Sequence, residues 1–187
     1  MAANEHLQTQ EAFRILLQAL SRPGEILPFT PADRDAALPV LLQTLLDHEV
    51  NFQVIGPDRD LLAPMIADLT GSRLTEAATA DFLIVTQGSS QGAILAAKRG
   101  TLEYPDQGAT VIYLVAGLGG QQQDALRLKL RGPGVATARQ VLISGLQAEE
   151  ILALRKVNEE FPLGVDCFFL DQEGRVMGLP RSIILEV

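Results

Sequence analysis

The stretch Ala109-Thr-Val-Ile-Tyr-Leu-Val115 is apolar at odd and even positions alike, apart from Thr110. A strand with this pattern buries both of its faces, as the central strands of α/β sheets do. Asn51–Ile55, closed by Gly56-Pro57, and the apolar Phe82–Val85 predict further strands. The sequence therefore favours a sheet that is covered on both sides.

Segments with helical spacing alternate with these strands, at about 13–21, 35–47, 61–69, 93–99 and 148–160. Leu126–Arg131 alternates with period two, and Val165–Leu170 with Arg175–Leu179 predicts a C-terminal hairpin. The alternating strand and the hairpin indicate a mixed sheet. The prediction is an α/β fold, a three-layer sandwich with a mixed sheet, in one domain over residues 1–187.

The composition of the chain argues against two classes of partner, nucleic acid and membrane. The formal charge is −8, with 15 basic and 23 acidic residues, so nucleic acid is not an expected partner. The longest apolar stretch, 109–118, is too short to span a bilayer, and the polar N-terminus lacks a signal-peptide core. We therefore expect a cytoplasmic protein with no membrane partner.

The titratable residues offer little chemistry. The single Cys167 excludes an internal disulfide, a Cys-based zinc site and a self-contained iron–sulfur cluster, and its apolar neighbours predict a buried, inert thiol. Two isolated His do not make a metal site. Lys98, Lys129 and Lys156 lie in charged or solvated patterns, without the desolvated pocket that a Schiff base needs. We expect no metal and no cofactor.

Two Gly-rich segments are candidates for ligand-binding loops. The turn Gly88-Ser-Ser-Gln-Gly92 follows a strand and could offer amides to a phosphate, but it matches no P-loop or dinucleotide motif. A flexible turn with a Ser cap is the alternative. Gly117-Leu-Gly-Gly120 is predicted to be a surface loop.

Arginine stands beside proline in Ser21-Arg22-Pro23-Gly24 and in Leu179-Pro180-Arg181-Ser182, and Phe161-Pro-Leu-Gly-Val-Asp166 sets a carboxylate before a strand. Two Arg and an Asp can read an anionic ligand or the charges of a partner. Structural turns with exposed Arg are the alternative.

These segments also carry a resemblance. Phe13–Gly24 is similar to the opening motif of the H subunit of the carbon–phosphorus lyase core complex (PhnH). Further matches keep the order of that family: Thr44–Asp47, Gly108–Ile112, Leu128–Gly134, Phe161–Asp166 and Leu179–Ser182.

The resemblance implies a fold like the large domain of pyridoxal-phosphate-dependent transferases, without the cofactor. It implies a cytoplasmic homodimer, or a place in a complex with the G, I and J subunits. That system forms ribose 1-phosphonate 5-triphosphate from ATP and a phosphonate in bacterial phosphonate catabolism. Cleavage of the carbon–phosphorus bond there needs a radical iron–sulfur subunit, which a chain with one Cys cannot be.

No catalytic residue transfers by motif. We single out Arg22, Asp47, Asp166 and Arg181 as the predicted ligand or partner contacts. The leading hypothesis is a non-catalytic, assembly-forming subunit. The alternatives are a free-standing enzyme that binds a nucleotide or phosphonate through Gly88–Gly92 and the Arg residues, and a small-molecule-binding regulatory module.

Overall fold

A computed structural model describes residues 2–120 and 124–186, with side chains from Leu7 onward. Its centre is a run of five parallel strands in the order β3-β2-β4-β5-β9. Their bounds are β2 (Asn51–Ile55), β3 (Arg73–Leu74), β4 (Phe82–Val85), β5 (Thr110–Leu114) and β9 (Asp166–Leu170). The apolar stretch that opened the sequence analysis is thus the strand between β4 and β9.

Two antiparallel strands complete a seven-stranded sheet. β10 (Arg175–Leu179) forms the predicted hairpin with β9, in which Met177 pairs with Phe169. β1 (Leu27–Pro28) pairs with β10 at the sheet edge. The sheet is therefore mixed, as predicted, and the hairpin and β1 are what make it so.

Three helices cover one face of this sheet: α1 (Ala2–Ser21), α2 (Arg34–Leu45) and α3 (Arg59–Thr70). Their buried residues, such as Leu16, Leu41 and Ile66, form one hydrophobic cluster with Phe52, Ile112 and other strand side chains that point to this face. Asp33 caps α2, since its carboxylate accepts a hydrogen bond from the Ala36 amide at 3.1 Å.

The other face is covered by a second, antiparallel sheet together with α4 (Ala148–Val157). Its order is β11-β7-β8-β6, with β6 (Gly117–Leu118), β7 (Leu126–Arg131), β8 (Arg139–Ser144) and β11 (Ile184–Glu186). Leu130, Ile143 and Leu154 from this layer pack with Val111 and Tyr113 of β5 in a second cluster. The fold is three-layered, and one outer layer is mostly sheet.

The second sheet differs from expectation in two ways. Leu126–Arg131 was predicted to belong to the main mixed sheet, yet its partners are β8 and β11. The segment Gly117–Gly120 was predicted to be a surface loop, yet Gly117–Leu118 is a buried strand. Period-two alternation shows that one face of a strand is buried, and gives no information about which strand pairs with it. Residues 121–123, which follow this segment, lie outside the described residues.

Some connections are tighter than predicted. The expected helix at 93–99 is a short 3₁₀ turn, Ala93–Ala96, and Thr86–Gly88 and Pro105–Gln107 form two more. These turns link β4 to β5 without a long helix. Conversely, α1 begins at Ala2, well before its apolar stripe of Ala12, Leu16 and Ala19 starts.

The fully buried carboxylate of Asp171 joins the two sheets. It accepts hydrogen bonds from the amides of Glu173 (3.0 Å) and Arg175 (2.8 Å) within the hairpin turn, and from the amide of Leu118 in β6 (3.1 Å). The Arg175 guanidinium completes its shell, with Nε at 2.8 Å and Nη2 at 2.7 Å. Burial of a charge is tolerated when it is fully paired in this way.

We predict that Asp171→Asn lowers the free energy of unfolding by about 3 kcal/mol, because it removes a buried charged acceptor from the half-buried Arg175 guanidinium and from three backbone amides. Urea unfolding measures the change. Asp60→Asn is the control, since the Asp60 side chain is 99% exposed and should shift stability little. Equal effects of the two substitutions would contradict a special role for Asp171.

Candidate functional site

Asp166 and Arg181 are brought together by the structure. Asp166 begins β9, and Arg181 follows β10, the strand paired with β9. The Arg181 guanidinium donates to the carboxylate through Nη2 at 2.6 Å and Nε at 3.2 Å, and the Arg181 amide donates at 2.8 Å. Nη1 donates to the carbonyl of Pro105. With the Arg181 side chain 13% exposed, the guanidinium is directed inward.

Close backbone packing surrounds this ion pair. A Cβ on Gly108 would lie 2.3 Å from the Gly164 carbonyl oxygen and 2.7 Å from Arg181 Nη1. Gly164, at φ +144°, would meet Asn158 Oδ1 at 2.3 Å. The Asn158 side chain in turn brackets Val165, bonding its amide at 2.8 Å and its carbonyl at 3.2 Å. Three motif segments, 108–112, 161–166 and 179–182, therefore meet at one packing centre.

Arg22 lies in a second such centre. A Cβ on Gly134 would lie 2.5 Å from the Ser21 carbonyl, so the turns 21–24 and 132–134 touch. Arg139 Nη1 donates to the Pro23 carbonyl at 2.9 Å, and the Gly24 amide donates to Gly178 in β10. The Arg22 side chain itself points outward, 60% exposed, with Glu25 at 3.7 Å.

Asp47 is exposed beyond the end of α2, where its carboxylate accepts a hydrogen bond from the Glu49 amide at 2.8 Å. Within the described residues, only Asp166 and Arg181 of the four predicted residues contact each other. The role of all four as ligand or partner contacts stays a prediction, and Arg22 and Asp47 are the two whose side chains are accessible.

The turn Gly88–Gly92 donates hydrogen bonds to a carboxylate of the same chain, that of Glu150. Glu150, in the first turn of α4 and 3% exposed, accepts from the Ser90 amide at 2.9 Å and the Ser90 hydroxyl at 3.0 Å. Its other oxygen accepts from the Tyr113 hydroxyl at 2.7 Å. Burial raises the pKa of the Tyr113 phenol, as do the nearby Cys167 and Glu150, so the phenol remains a donor. The Ser90 donors that a phosphate would need are already occupied.

Two of the three lysines, Lys98 and Lys129, are engaged in ion pairs. Lys98 pairs with Asp81, and Lys129 Nζ lies 3.1 Å from Glu186 Oε2. The hydrogen bond from Lys129 lowers the pKa of the Glu186 carboxyl. Among the described residues, no group of three or more His, Cys, Asp or Glu is placed to hold a metal ion. In the same ranges, no helix is both long and apolar enough to cross a membrane.

A cleft of about 540 Å³ opens where the parallel strands end. Thr86 and Gln87 follow β4, Val115 follows β5, and Gln172 follows β9, and all four line the cleft. The first turns of α2 and α3 form its opposite wall. β3 and β4 lie on opposite sides of β2, so the chain reverses its direction across the sheet beside this cleft. Open α/β sheets bind ligands at this place.

The cleft, from here on the carboxyl-edge cleft, carries unengaged polar groups. Arg34 makes one long hydrogen bond, 3.5 Å to the Val115 carbonyl, and no ion pair among the described residues. Asp35 and Asp58 have exposed carboxylates to which the described residues give no partner. Gln87 holds a left-handed backbone, φ +58°, which is uncommon outside glycine and is often found at functional sites.

Sequence reasoning missed this cleft, although a signal was present. Asp58 and Thr86 come within three residues of two predicted strands, and the carboxyl ends of parallel strands meet at one edge of a sheet. Gly88–Gly92, the segment considered as a ligand loop, lies just beyond the cleft residues Thr86 and Gln87. Arg34 could not be placed from the sequence, because the antiparallel β1 precedes α2 and only tertiary packing brings that helix to the cleft.

The sequence model of a family described as bacterial phosphonate metabolism protein (PhnH) matches residues 2–186. The chain belongs to the PhnH family. The motif segments that meet around Arg181 and Pro23 are the same segments that suggested this membership, so the resemblance rests on residues that pack the fold together.

Two similar proteins are consistent with this family membership. The chain is 31% identical over 173 residues to the putative C-P lyase subunit protein HtxG of Stutzerimonas stutzeri, covering 92% of this chain and 83% of that protein. It is 30% identical over 194 residues to the alpha-D-ribose 1-methylphosphonate 5-triphosphate synthase subunit PhnH of Rhizobium meliloti (strain 1021). That match covers 98% of this chain and 93% of the relative.

Cys167 provides a test of the packing at this centre. It is 2% exposed, and burial raises the pKa of its thiol, with the neighbouring Asp166 adding to the effect. We predict that the folded protein reacts with Ellman's reagent at pH 8 far more slowly than the urea-unfolded chain, because the thiolate is both scarce and inaccessible. Reaction of the native thiol at the unfolded rate would contradict this packing.

Proposed function

We propose that this PhnH-family chain is a subunit of a carbon–phosphorus lyase core complex, needed in bacterial phosphonate catabolism to form ribose 1-phosphonate 5-triphosphate from ATP and phosphonate. The observation that carries the proposal is the family match over residues 2–186, with a synthase subunit among the relatives. We further propose that its role is structural, in assembling the complex.

The motif residues bond to one another and pack closely, and this supports an assembly role. Asp166 and Arg181 bind each other, and the glycines of the motifs allow close backbone approach. Side chains used in this way position the backbone and the surrounding surfaces. The alternative of a free-standing enzyme that binds a nucleotide or phosphonate at Gly88–Gly92 is disfavoured, because Glu150 occupies the Ser90 donors there.

The proposed partners are a second copy of the chain and the G, I and J subunits, in the cytoplasm. We also retain the proposals of a single domain over 1–187 and of a likeness to the large domain of pyridoxal-phosphate-dependent transferases. The five parallel strands, covered by three helices on one face and in part by α4 on the other, support this likeness.

Co-purification tests the assembly role. We predict that the tagged chain, coexpressed with the G, I and J subunits, retains all three through affinity and size-exclusion steps. Arg22→Glu should reduce their retention several-fold if Arg22 is a contact, since charge reversal at a contact site opposes binding. Arg14→Glu, at an exposed position on α1, the helix that precedes Arg22, is the control. Failure of the wild-type chain to retain any subunit would refute the proposal.

Self-association has a separate test. β11 is the edge strand of the second sheet; within it Leu185 is buried and Ile184 is 62% exposed, and Ile183, just before it, is buried. Ile184 and the 67% exposed Phe161 border the same surface depression, which suits an apolar interface. An obligate dimer would bury at least about 2,000 Å² there and elsewhere.

We predict that the chain sediments as a dimer or larger species at micromolar concentration, and that Ile184→Asp dissociates it without unfolding it. Leu152→Asp, at a similarly exposed position on α4, is the control and should leave the oligomer intact. A monomeric wild-type chain would refute dimerisation. An Ile184→Asp variant that stays dimeric would place the interface elsewhere.

A further inference from the structure

The carboxyl-edge cleft combines two kinds of polar group. The Arg34 guanidinium supplies the hydrogen-bond donors, and the positive dipole ends of α2 and α3 lie beside the cleft, although most of their first amides bond within the chain. Acceptors come from Asp35 and Asp58, the same two carboxylates that have no partner among the described residues. A ligand that matches this set needs an anionic group at one end and hydroxyl donors at another.

The position of the helices favours phosphate as the anion. α2 and α3 are each 12 residues long and both begin at the cleft. Asp58 precedes α3 and makes no side-chain cap hydrogen bond, which leaves its carboxylate free to accept from a ligand. Arg34 is the first residue of α2, and a guanidinium beside a helix N-terminus suits a phosphate group.

A buried, unsatisfied hydroxyl marks the same place. Thr86 lines the cleft, is 2% exposed, and its Oγ1 is the buried side-chain polar atom for which the described residues provide no hydrogen-bond partner. The hydroxyl packs against Gly56, where a Cβ would come within 2.1 Å of it. It therefore sits between the ends of β2 and β4, at the point where the chain reverses direction. Orphaned polar groups of this kind are uncommon in native structures.

We propose that the carboxyl-edge cleft binds a phosphorylated sugar, with the Arg34 guanidinium receiving the phosphate beside the positive ends of α2 and α3, and Asp58 accepting hydrogen bonds from sugar hydroxyls. The cleft volume of about 540 Å³ lies within the range of small-molecule sites. Leu38, Leu62 and Leu114 supply an apolar wall for the sugar ring. The choice of a sugar phosphate over other anionic polyols rests on the proposed function.

The test is isothermal titration calorimetry on the full chain and on the co-purified assembly, with ribose 5-phosphate, ribose and inorganic phosphate as probes. Ribose 5-phosphate is expected to bind more tightly than either fragment. Arg34→Gln should weaken its binding about tenfold or more, because a charge-assisted contact is lost. Asp58→Asn should weaken the binding of ribose 5-phosphate and should not weaken the binding of phosphate, because only the sugar hydroxyls use the carboxylate.

Arg59→Gln is the matched control. Arg59 is the first residue of α3 as Arg34 is of α2, yet it lies outside the cleft lining, with Asp60 at 3.8 Å. Its substitution should leave binding unchanged. The proposal is overturned if ribose 5-phosphate binds neither preparation, if it binds no better than phosphate, or if Arg34→Gln has no larger effect than Arg59→Gln. Retention of the G, I and J subunits does not depend on this outcome, so the two proposals fail independently.

Discussion

The constraint on which this structure depends is the burial of the parallel strands on both faces. Leu83, Val111 and Phe169 point to one side of the sheet, and Ile84, Ile112 and Phe168 point to the other, all nearly inaccessible to solvent. Neither side can face water, so the chain must supply two covering layers. The chain before β5 supplies α1–α3, and most of the chain between β5 and β9 supplies the second sheet and α4. The layer order follows from that division.

Much of this could be predicted, because each element with a strong local pattern has its own signal. β2, β7 and β10 match their predicted bounds, since alternation or continuous apolarity ends at Gly or Pro in each case. The predicted hairpin formed for the same reason. The buried thiol of Cys167 also followed from its apolar neighbours.

The remaining features depend on contacts between distant segments. β8 pairs with β7, and β11 pairs with the opposite edge of β7, a partnership that no local pattern specifies. The sequence singled out Asp166 and Arg181 as two separate charged residues, and did not predict that they form an ion pair. The carboxyl-edge cleft draws residues from four strand ends and two helices, and is a product of topology. Local reasoning therefore identified most of the elements and missed the places where they meet.

The insertion of the second sheet between β5 and β9 has a consequence for how the chain acquires its fold. Ile112 pairs with Phe168, so the central strands can join only after the whole intervening segment has been made and its ends have met. Closing such a long loop is entropically slow, and proteins rich in distant pairings fold slowly. During synthesis β5 therefore leaves the ribosome with one edge unpaired, and β7 also waits for the last strand, β11. During this interval the nascent chain exposes unpaired strand edges, which can pair with other chains. A cell that makes much of this protein therefore benefits from protecting the nascent chain until translation ends.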